Sequence, residues 1–327
     1  MSIKLSFILP CYNVERYIAD CLDSIYAQDF HEKNFEVICV NDCSTDGTRS
    51  IIVDYAQKYA NLTLIDHEHN MTAGGARNTG LDVAKGEYIW FVDPDDVINP
   101  ISLSALYAKA ETNNVDLLFF NYTDSDIELH PYRIDSSFVD SVVMNGQEFV
   151  ANYFPHQLSQ LGVVWRVLYR RQYLLDNHLT YPLIRKSQDV VFSYRSLLKA
   201  KRVASLSDSC YLFRHNPNSV THAKKTAKVL FSERFQLAGE LQRILSDPHF
   251  ILQSSIRKQL CAMRTWSCNP EWKEVAQLND VECERYRMYV RIESKLLMEL
   301  MQYMNRKTKL MFFASMCSLS WKISLRL

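Results

Sequence analysis

The sequence predicts an α/β protein with a mostly parallel central sheet, followed by a helical C-terminal region. In the first hundred residues, short apolar stretches typical of buried strands alternate with segments of helical periodicity. Helices between such strands indicate βαβ units, and therefore neighbouring parallel strands. From about residue 226 onward the pattern is helical throughout. We therefore expect an α/β body over 1–220 and a helical region over 221–327.

The early elements follow one another in a regular order. Strands are predicted at 5–9, 35–40, 62–65 and 88–92, and helical spacing recurs at 18–25 and 52–59. A glycine-bearing loop at 73–77 leads into a further helix. After residue 100 we expect helices over 101–113 and 189–200, strands at 115–121, 163–169 and 210–213, and an irregular polar stretch over 122–146.

Composition excludes several classes of protein. Acidic and basic residues are equal in number and 47% of residues are hydrophobic, so the chain can bury a sizeable core and is not disordered. A net charge of zero argues against a nucleic-acid binder that works by bulk electrostatics. The nine cysteines include no CxxC pair, which favours reduced thiols in a cytoplasmic protein.

The patterns near the two ends of the sequence indicate whether the chain contacts a membrane. The N-terminus has no signal-peptide pattern, and no apolar run reaches the ~20 residues of a spanning helix. The longest uncharged apolar run, 310–321, has basic residues on both sides. Two interpretations stay open: a helix lying on an anionic membrane surface, or a terminal helix packed on the body with a solvated basic rim.

Carboxylates follow two of the predicted parallel strands, at the edge of the sheet where ligands bind. One set includes Asp42, and the other, Asp93-Pro94-Asp95-Asp96, has three carboxylates in four residues. Such neighbours repel and raise each other's pKa, and a divalent cation relieves the repulsion. Carboxylates with few other ligands suit Mg²⁺ or Mn²⁺ that bridges to phosphate.

Four motifs in the first hundred residues resemble the family 2 glycosyltransferases. They are Phe7-Ile8-Leu9-Pro10-Cys11-Tyr12-Asn13, Val40-Asn41-Asp42-Cys43-Ser44-Thr45-Asp46-Gly47, Gly75-Ala76-Arg77-Asn78-Thr79-Gly80 and Phe91-Val92-Asp93-Pro94-Asp95-Asp96. The resemblance implies a GT-A fold over 1–220, in which 1–100 binds a nucleotide-diphospho-sugar and 101–220 binds the acceptor. Cys43 departs from the family's usual glycine, and the turn forms only if Cys43 adopts the required backbone angles.

The resemblance also implies roles at the donor site. Tyr12 and the Pro10 backbone would lie against the uracil of a UDP-sugar. Asp42 would accept a hydrogen bond from the uracil imide N–H, a task for an ionised carboxylate because it only accepts. Arg77 would support this pocket or contact the diphosphate as a permanent cation.

At the acidic motif, Asp93-Pro94-Asp95-Asp96, the resemblance implies that Asp95 faces the ribose or the metal, and that Asp96 ligates Mg²⁺ or Mn²⁺. Asp93 is expected to shape the turn. Bound there, the metal would neutralise charge on the departing diphosphate.

The second half supplies the expected base. Ser187-Gln188-Asp189-Val190-Val191-Phe192 resembles the family's Glu-Asp segment with Gln188 in place of Glu. Asp189 would take the proton of the acceptor hydroxyl; by itself, a helix N-cap is the alternative role for this residue. Arg214 lies in a segment that resembles a loop near the diphosphate, and a surface ion pair is its alternative.

The expected function is therefore inverting, metal-assisted transfer of a sugar to a glycan or lipid-linked acceptor. By family habit the setting is bacterial surface-polysaccharide synthesis, in the cytoplasm or at the inner face of the plasma membrane. Three alternatives stay open: a non-catalytic GT-A-like scaffold, a haloacid-dehalogenase-type phosphatase with Asp93 as nucleophile, and a nucleotidyltransferase.

Overall fold

A computed structural model describes residues 3–100, 103–154, 162–215, 227–248 and 250–267 of the chain. Its strands are β1 (Leu5–Cys11), β2 (Phe35–Asn41), β3 (Leu62–Asp66), β4 (Tyr88–Phe91), β5 (Val97–Ile98), β6 (Leu117–Ser125), β7 (Pro131–Ile134), β8 (Val167–Arg170) and β9 (Val203–Arg214). Its helices are α1 (Ile18–Tyr26), α2 (Thr48–Lys58), α3 (Thr72–Val83), α4 (Leu103–Thr112), α5 (Gly146–Tyr153), α6 (Arg171–Asp176), α7 (Gln188–Lys199), α8 (Ala227–Ser246) and α9 (Ser254–Ser267).

The described strands form one sheet in the order β3-β2-β1-β4-β8-β6-β9-β5, with β7 paired to β6. The first four strands in this order are mutually parallel. β8 runs antiparallel to both β4 and β6, and β9 runs parallel to β6. The carboxyl ends of β1, β2, β3, β4, β6 and β9 therefore face the same edge of the sheet.

Both faces of the sheet are buried, which explains why the strands are continuously apolar. Along β1, Phe7 and Leu9 join one core cluster together with α1 and α4, whereas Ile8 joins a second cluster with α3, α5 and α7. This alternation is the two-residue period of a strand. The sheet consequently forms the middle layer, and its loops remain available at the edges.

The short strand β5 curls the sheet back onto the acidic motif. Val97, directly after that motif, pairs antiparallel with Leu212 near the end of β9. The backbone N–H of Arg214 then reaches the Asp96 carboxylate at 2.7 Å. Residues more than a hundred positions apart in the sequence thus meet at the carboxyl edge.

Most predicted elements are confirmed, and three predictions were wrong in detail. The expected glycine loop at 73–77 belongs to α3, which begins at Thr72. The stretch 122–146 is not irregular throughout, because β6 continues to Ser125 and β7 follows. The strand expected at 163–169 begins as the 3-10 turn Val164–Arg166 before β8.

The glycines of α3 permit close packing rather than a loop. A Cβ on Gly74 would lie 2.1 Å from Oε1 of Gln188, at the start of α7. A side chain at position 74 would therefore require the Gln188 side chain to move.

The helical character expected after residue 220 is found in α8 and α9. The apolar run 310–321 lies outside the described residues, and the domain boundaries remain predictions. Within the described ranges, no helix is both long and apolar enough to cross a membrane.

Candidate active site

The loops after β1 and β2 interlock at the carboxyl edge. The Asn13 side-chain oxygen accepts from the Thr45 N–H at 2.8 Å, and Glu15 accepts from the Gly47 N–H at 2.8 Å. Asn13 has a φ of 53°, which turns the chain sharply after Tyr12. Tyr12 is therefore held with 45% of its surface exposed, as the ring of a ligand-stacking residue must be. Pro10 lies inside β1, paired with Val40 of β2.

The turn after Asp42 forms with cysteine in place of the family's glycine. Cys43 has a φ of 61°, in the left-handed region that favours glycine. Its thiol contacts the backbone oxygen of His67 at 3.1 Å. The required backbone angles are thus adopted, and a side-chain contact accompanies them.

Asp42 is 2% exposed, and the hydrogen bonds of its side chain all use one oxygen. Oδ1 accepts from the Met71 N–H and contacts Nδ1 of His67, both at 2.7 Å. The other ring nitrogen of His67 lies 2.9 Å from the Thr79 hydroxyl. Within the described residues Oδ2 has no hydrogen-bond partner. An oriented carboxylate oxygen is therefore left to accept a donor from a ligand.

Arg77 anchors the first carboxylate of the acidic motif. Its guanidinium is buried, donates to Oδ1 of Asp93 at 2.5 Å and lies 5.3 Å from the ring centre of Tyr181. Burial alone would lower the Arg77 pKa, but Asp93, Tyr181 and Asp189 raise it. Arg77 is thus a fixed cation between the acidic motif and α7.

The structure argues against Asp96 as the metal ligand. Asp96 is 1% exposed, and its two oxygens accept from the Tyr211 hydroxyl at 2.8 Å and from the Arg214 N–H at 2.7 Å. Burial, followed by repulsion from Asp95 and Asp93, raises the pKa of the Asp96 carboxyl well above its usual range. Asp96 therefore fixes the end of β9 against the acidic motif.

Asp95 fits a cation better, because it is only partly buried. Burial and then the Asp93 charge raise the Asp95 pKa to about 6, so a bound cation would relieve an existing repulsion. The described residues contain no group of three or more His, Cys, Asp or Glu side chains that could hold a metal. The chemistry fits one carboxylate that shares Mg²⁺ or Mn²⁺ with a diphosphate and water.

Arg214 is buried, so the alternative of a surface ion pair does not describe it. Its guanidinium donates to Asp20 of α1 at 2.7 Å and lies 4.9 Å from the ring centre of Tyr17. Its charge also lowers the Asp95 pKa. Arg214 therefore places positive charge beside the acidic motif.

Asp189 is the second residue of α7 rather than its N-cap. Ser187 occupies the cap position with a φ of 59° and makes no side-chain cap bond. Oδ1 of Asp189 accepts from the adjacent Val190 N–H at 2.9 Å. Burial raises the Asp189 pKa, although Arg77 acts in the opposite direction. A partly exposed carboxylate of raised basicity suits a general base.

The structure gives roles to several residues for which the sequence predicted none. Gln188 accepts from the Thr72 hydroxyl at 3.2 Å and so joins α7 to α3. Tyr211 and His67 hold Asp96 and Asp42. His67 directly follows β3, so the rule that ligands bind at the ends of parallel strands could have found it. Tyr211 begins the segment 211–215, which resembles the family's loop near the diphosphate, but the resemblance gave Tyr211 itself no role.

A mostly parallel sheet with polar side chains gathered at this carboxyl edge is typical of α/β proteins that bind ligands there. The family model for glycosyl transferase family 2 matches residues 6–177, and the chain belongs to that family. The predicted fold class and enzyme class are thereby confirmed. The phosphatase and nucleotidyltransferase alternatives gain no support.

Similar proteins include EpsJ of Bacillus subtilis (strain 168), described as an uncharacterized glycosyltransferase. It is 31% identical over 255 residues, which are 74% of this chain and 73% of EpsJ. A poly(ribitol-phosphate) beta-N-acetylglucosaminyltransferase, TarS of Staphylococcus aureus (strain Mu50 / ATCC 700699), is 32% identical over 64% of this chain. That match covers only 35% of TarS.

The crystal structure of residues 1–349 of S. aureus TarS superposes with a TM-score of 0.62 at 26% identity, over 86% of this chain and 77% of that one. The same TarS fragment in complex with UDP-GlcNAc superposes with a TM-score of 0.64 at 24% identity, over 87% and 78%. These likenesses confirm the fold of the α/β body.

Proposed function

We propose that this protein transfers a sugar from a UDP-sugar to a hydroxyl of a glycan or lipid-linked acceptor, with inversion at the anomeric carbon. The observation that carries the proposal is the Asp42 carboxylate. It is held by one oxygen through Met71 and His67, and its other oxygen has no partner among the described residues. This oxygen lies on the same sheet edge as Asp95 and near α7, so donor, leaving group and base can share one site.

Uracil fits this edge because its imide N–H needs a pure acceptor, which Oδ2 of Asp42 supplies. Tyr12 offers a ring face to the base, and the Pro10 backbone borders it. Arg77 acts on the donor indirectly, by fixing Asp93. Arg214 adds positive charge near the expected diphosphate.

Asp95 would hold the divalent cation, in place of the Asp96 predicted from sequence. When bound, the cation neutralises charge that develops on the departing diphosphate. Arg77 and Arg214 hold Asp93 and Asp96 in place, so Asp95 is the carboxylate left to meet a ligand.

Asp189 would take the proton from the acceptor hydroxyl while that oxygen attacks the anomeric carbon. The new glycosidic C–O bond forms as the bond from the anomeric carbon to the diphosphate breaks, and UDP leaves with the electron pair. One base and one displacement invert the configuration. The names of the TarS relative and of a Bacillus spizizenii relative, a poly(ribitol-phosphate) beta-glucosyltransferase, specify β products. Inversion of an α-linked UDP-sugar gives such a product.

The biological setting we propose is bacterial surface-polysaccharide synthesis, in the cytoplasm or peripherally at the inner face of the plasma membrane. The names of the poly(ribitol-phosphate) relatives support an extended polymer, rather than a small molecule, as acceptor. The chain spans only about a third of those proteins, so their substrates do not transfer directly to this chain.

Calorimetry with a panel of nucleotides tests this proposal. UDP, GDP, CMP and ADP would each be titrated into the full chain with and without Mn²⁺, followed by UDP-sugars. We expect UDP to bind most tightly and Mn²⁺ to increase its affinity. Tighter binding of another nucleotide would reject the uracil assignment, and no nucleotide binding at all would favour the scaffold alternative.

A further inference from the structure

A row of aromatic rings leads from the acidic motif toward the surface. Tyr211 stacks on Trp165 with ring centres 4.4 Å apart, and Trp165 stacks on Phe213 at 5.5 Å. The ring of His215 meets Phe213 edge-on at 4.9 Å, and Tyr132 lies 5.8 Å beyond His215. The row begins at Tyr211, which binds Asp96, and it ends at a side chain that is 61% exposed.

At the outer end of this row, the side chains of Arg133 and His215 both contact one buried carboxylate. Nε of Arg133 donates to Oδ2 of Asp124 at 2.5 Å, and Nε2 of His215 lies 2.8 Å from Oδ1. Asp124 is 2% exposed, whereas the side chains of Arg133 and His215 are 64% and 50% exposed. The buried carboxylate thus fixes two groups that face solvent.

These two side chains keep hydrogen-bonding capacity for a ligand. Because Nε of Arg133 is used by Asp124, its two terminal nitrogens remain, and neither has a partner among the described residues. That edge of a guanidinium forms the planar fork that matches a carboxylate or phosphate. Since Nε2 of His215 faces a carboxylate, Nδ1 is the nitrogen left for a ligand.

Two neighbouring carboxylates are engaged by other side chains. Asp126 is paired with His130 at 3.1 Å, and Asp135 is paired with Arg166 at 3.0 Å. The exposed ring of Tyr132, next to the His215 ring, adds a flat apolar face on which the C–H face of a sugar ring can pack. An aromatic face and a guanidinium fork that are linked through His215 suit an anionic sugar.

The cluster lies near the carboxyl ends of β6 and β9. Asp124 pairs with Phe213 across β6 and β9, and the next residue inward, Leu212, pairs with Val97 of β5. His215 directly follows Arg214, whose backbone N–H binds Asp96 of the acidic motif at 2.7 Å. Tyr211 and Trp165, at the inner end of the aromatic row, are buried, so a ligand meets the row at its exposed outer end.

We infer that Tyr132, Arg133 and His215 form an outer acceptor subsite for a sugar unit that carries a carboxylate or phosphate group. The inference rests on the proposed function, because it makes the ligand part of the acceptor glycan. It assigns these residues to binding, at a distance from the transfer chemistry.

Fluorescence anisotropy on the full chain tests the subsite with three labelled probes: a glucuronate-containing oligosaccharide, a ribitol-phosphate oligomer and neutral chitotetraose. We expect one anionic probe to bind at least about tenfold more tightly than the neutral one. Tyr132→Ala and Arg133→Lys should each weaken that binding by about fivefold or more. Arg133→Lys keeps a positive charge beside Asp124 but removes the planar guanidinium fork.

Lys201→Gln is the matched control, since Lys201 is exposed near the opposite end of β9. It should leave binding of the probes unchanged, and thermal unfolding should show that every variant is folded. Equal binding of charged and neutral probes would overturn the inference, as would wild-type affinity in both subsite variants. UDP affinity is measured in parallel: its absence from the wild type counts against the proposed function, whereas UDP binding without Arg133-dependent probe binding counts against the subsite alone.

Discussion

The proposed donor half and the proposed acceptor half of the sheet edge are built in different ways. On the donor side, Asp42 and the acidic motif each follow a parallel strand, and short loops with dense hydrogen bonds hold them. On the acceptor side, Asp189 begins a helix, and Tyr132 and His215 come from strands far apart in the sequence. The donor half is encoded locally, whereas the acceptor half depends on tertiary pairing.

This difference has a physical reason. A nucleotide diphosphate is a fixed ligand, and contiguous strand-end motifs present the acceptors and cations it needs. An acceptor glycan has only a hydroxyl to present to the base, and its recognition spreads over a wider surface. Substitutions on the two sides should therefore alter different kinetic parameters.

The largest effect should come from Asp189→Asn. The amide keeps the shape of the side chain but cannot take the acceptor proton, so kcat should fall by about 10²–10⁴. UDP affinity should stay within about twofold of the wild type, since α7 does not bind the nucleotide in this scheme. Steady-state transfer assays together with calorimetry measure both quantities. Near wild-type kcat in a folded variant would move the search for the base to other acidic residues of the second half, such as Asp176.

On the donor side, Asp42→Asn should weaken UDP binding by about 1–3 kcal/mol. Oδ1 must keep accepting from Met71, so the new amide NH₂ takes the place of Oδ2 and faces the uracil N–H as a second donor. The kcat at saturating donor should change little. Glu68→Gln, an exposed substitution one residue after His67, is the matched control for calorimetry. Unchanged UDP affinity in Asp42→Asn would place the uracil elsewhere.

The effect of Mn²⁺ on UDP affinity distinguishes the role of Asp95 from that of Asp96. In Asp95→Ala the enhancement of UDP affinity by Mn²⁺ should disappear, whereas Asp96→Asn should retain most of it, because the Asp96 oxygens serve Tyr211 and Arg214. Titrations of UDP with and without Mn²⁺ give both results. Loss of the metal effect only in Asp96→Asn would restore the assignment made from sequence.

The smallest effect concerns the stability of the acidic motif. The Asp95 pKa of about 6 exceeds the ordinary value of 3.8, so the folded state holds this proton more tightly than the unfolded state. As the pH rises from about 4 to 6, the contribution of Asp95 to the free energy of unfolding therefore decreases. Above pH 6 this loss of stability stays constant. Asp95→Asn should be more stable than the wild type by about 1–3 kcal/mol at pH 7.5, and equally stable near pH 4. Urea unfolding at the two pH values measures the difference, and an equal offset at both would contradict it.

What the sequence could predict follows the same division. The strand-end motifs placed Tyr12, Asp42 and Asp95 at one edge, because parallel strands align their ends. The sequence could not show that Asp96 is buried, since that depends on Tyr211, which β5 and β9 bring alongside it.

The position of α3 was also misjudged, for a related reason. Its glycines resemble a loop in the sequence, but they lie in a helix, where Gly74 closely approaches the Gln188 side chain. The outer acceptor cluster has no local signature, because Asp124 joins β6, β7 and β9 only in the folded sheet.

The configuration of the first product tests the central claim most directly. Once the nucleotide panel has identified the UDP-sugar, its transfer can be followed by proton NMR from the first turnovers. An α-linked donor should give a β-linked product and one UDP for each sugar transferred, as expected for a single displacement with Asp189 as base. An α-linked first product would contradict the account.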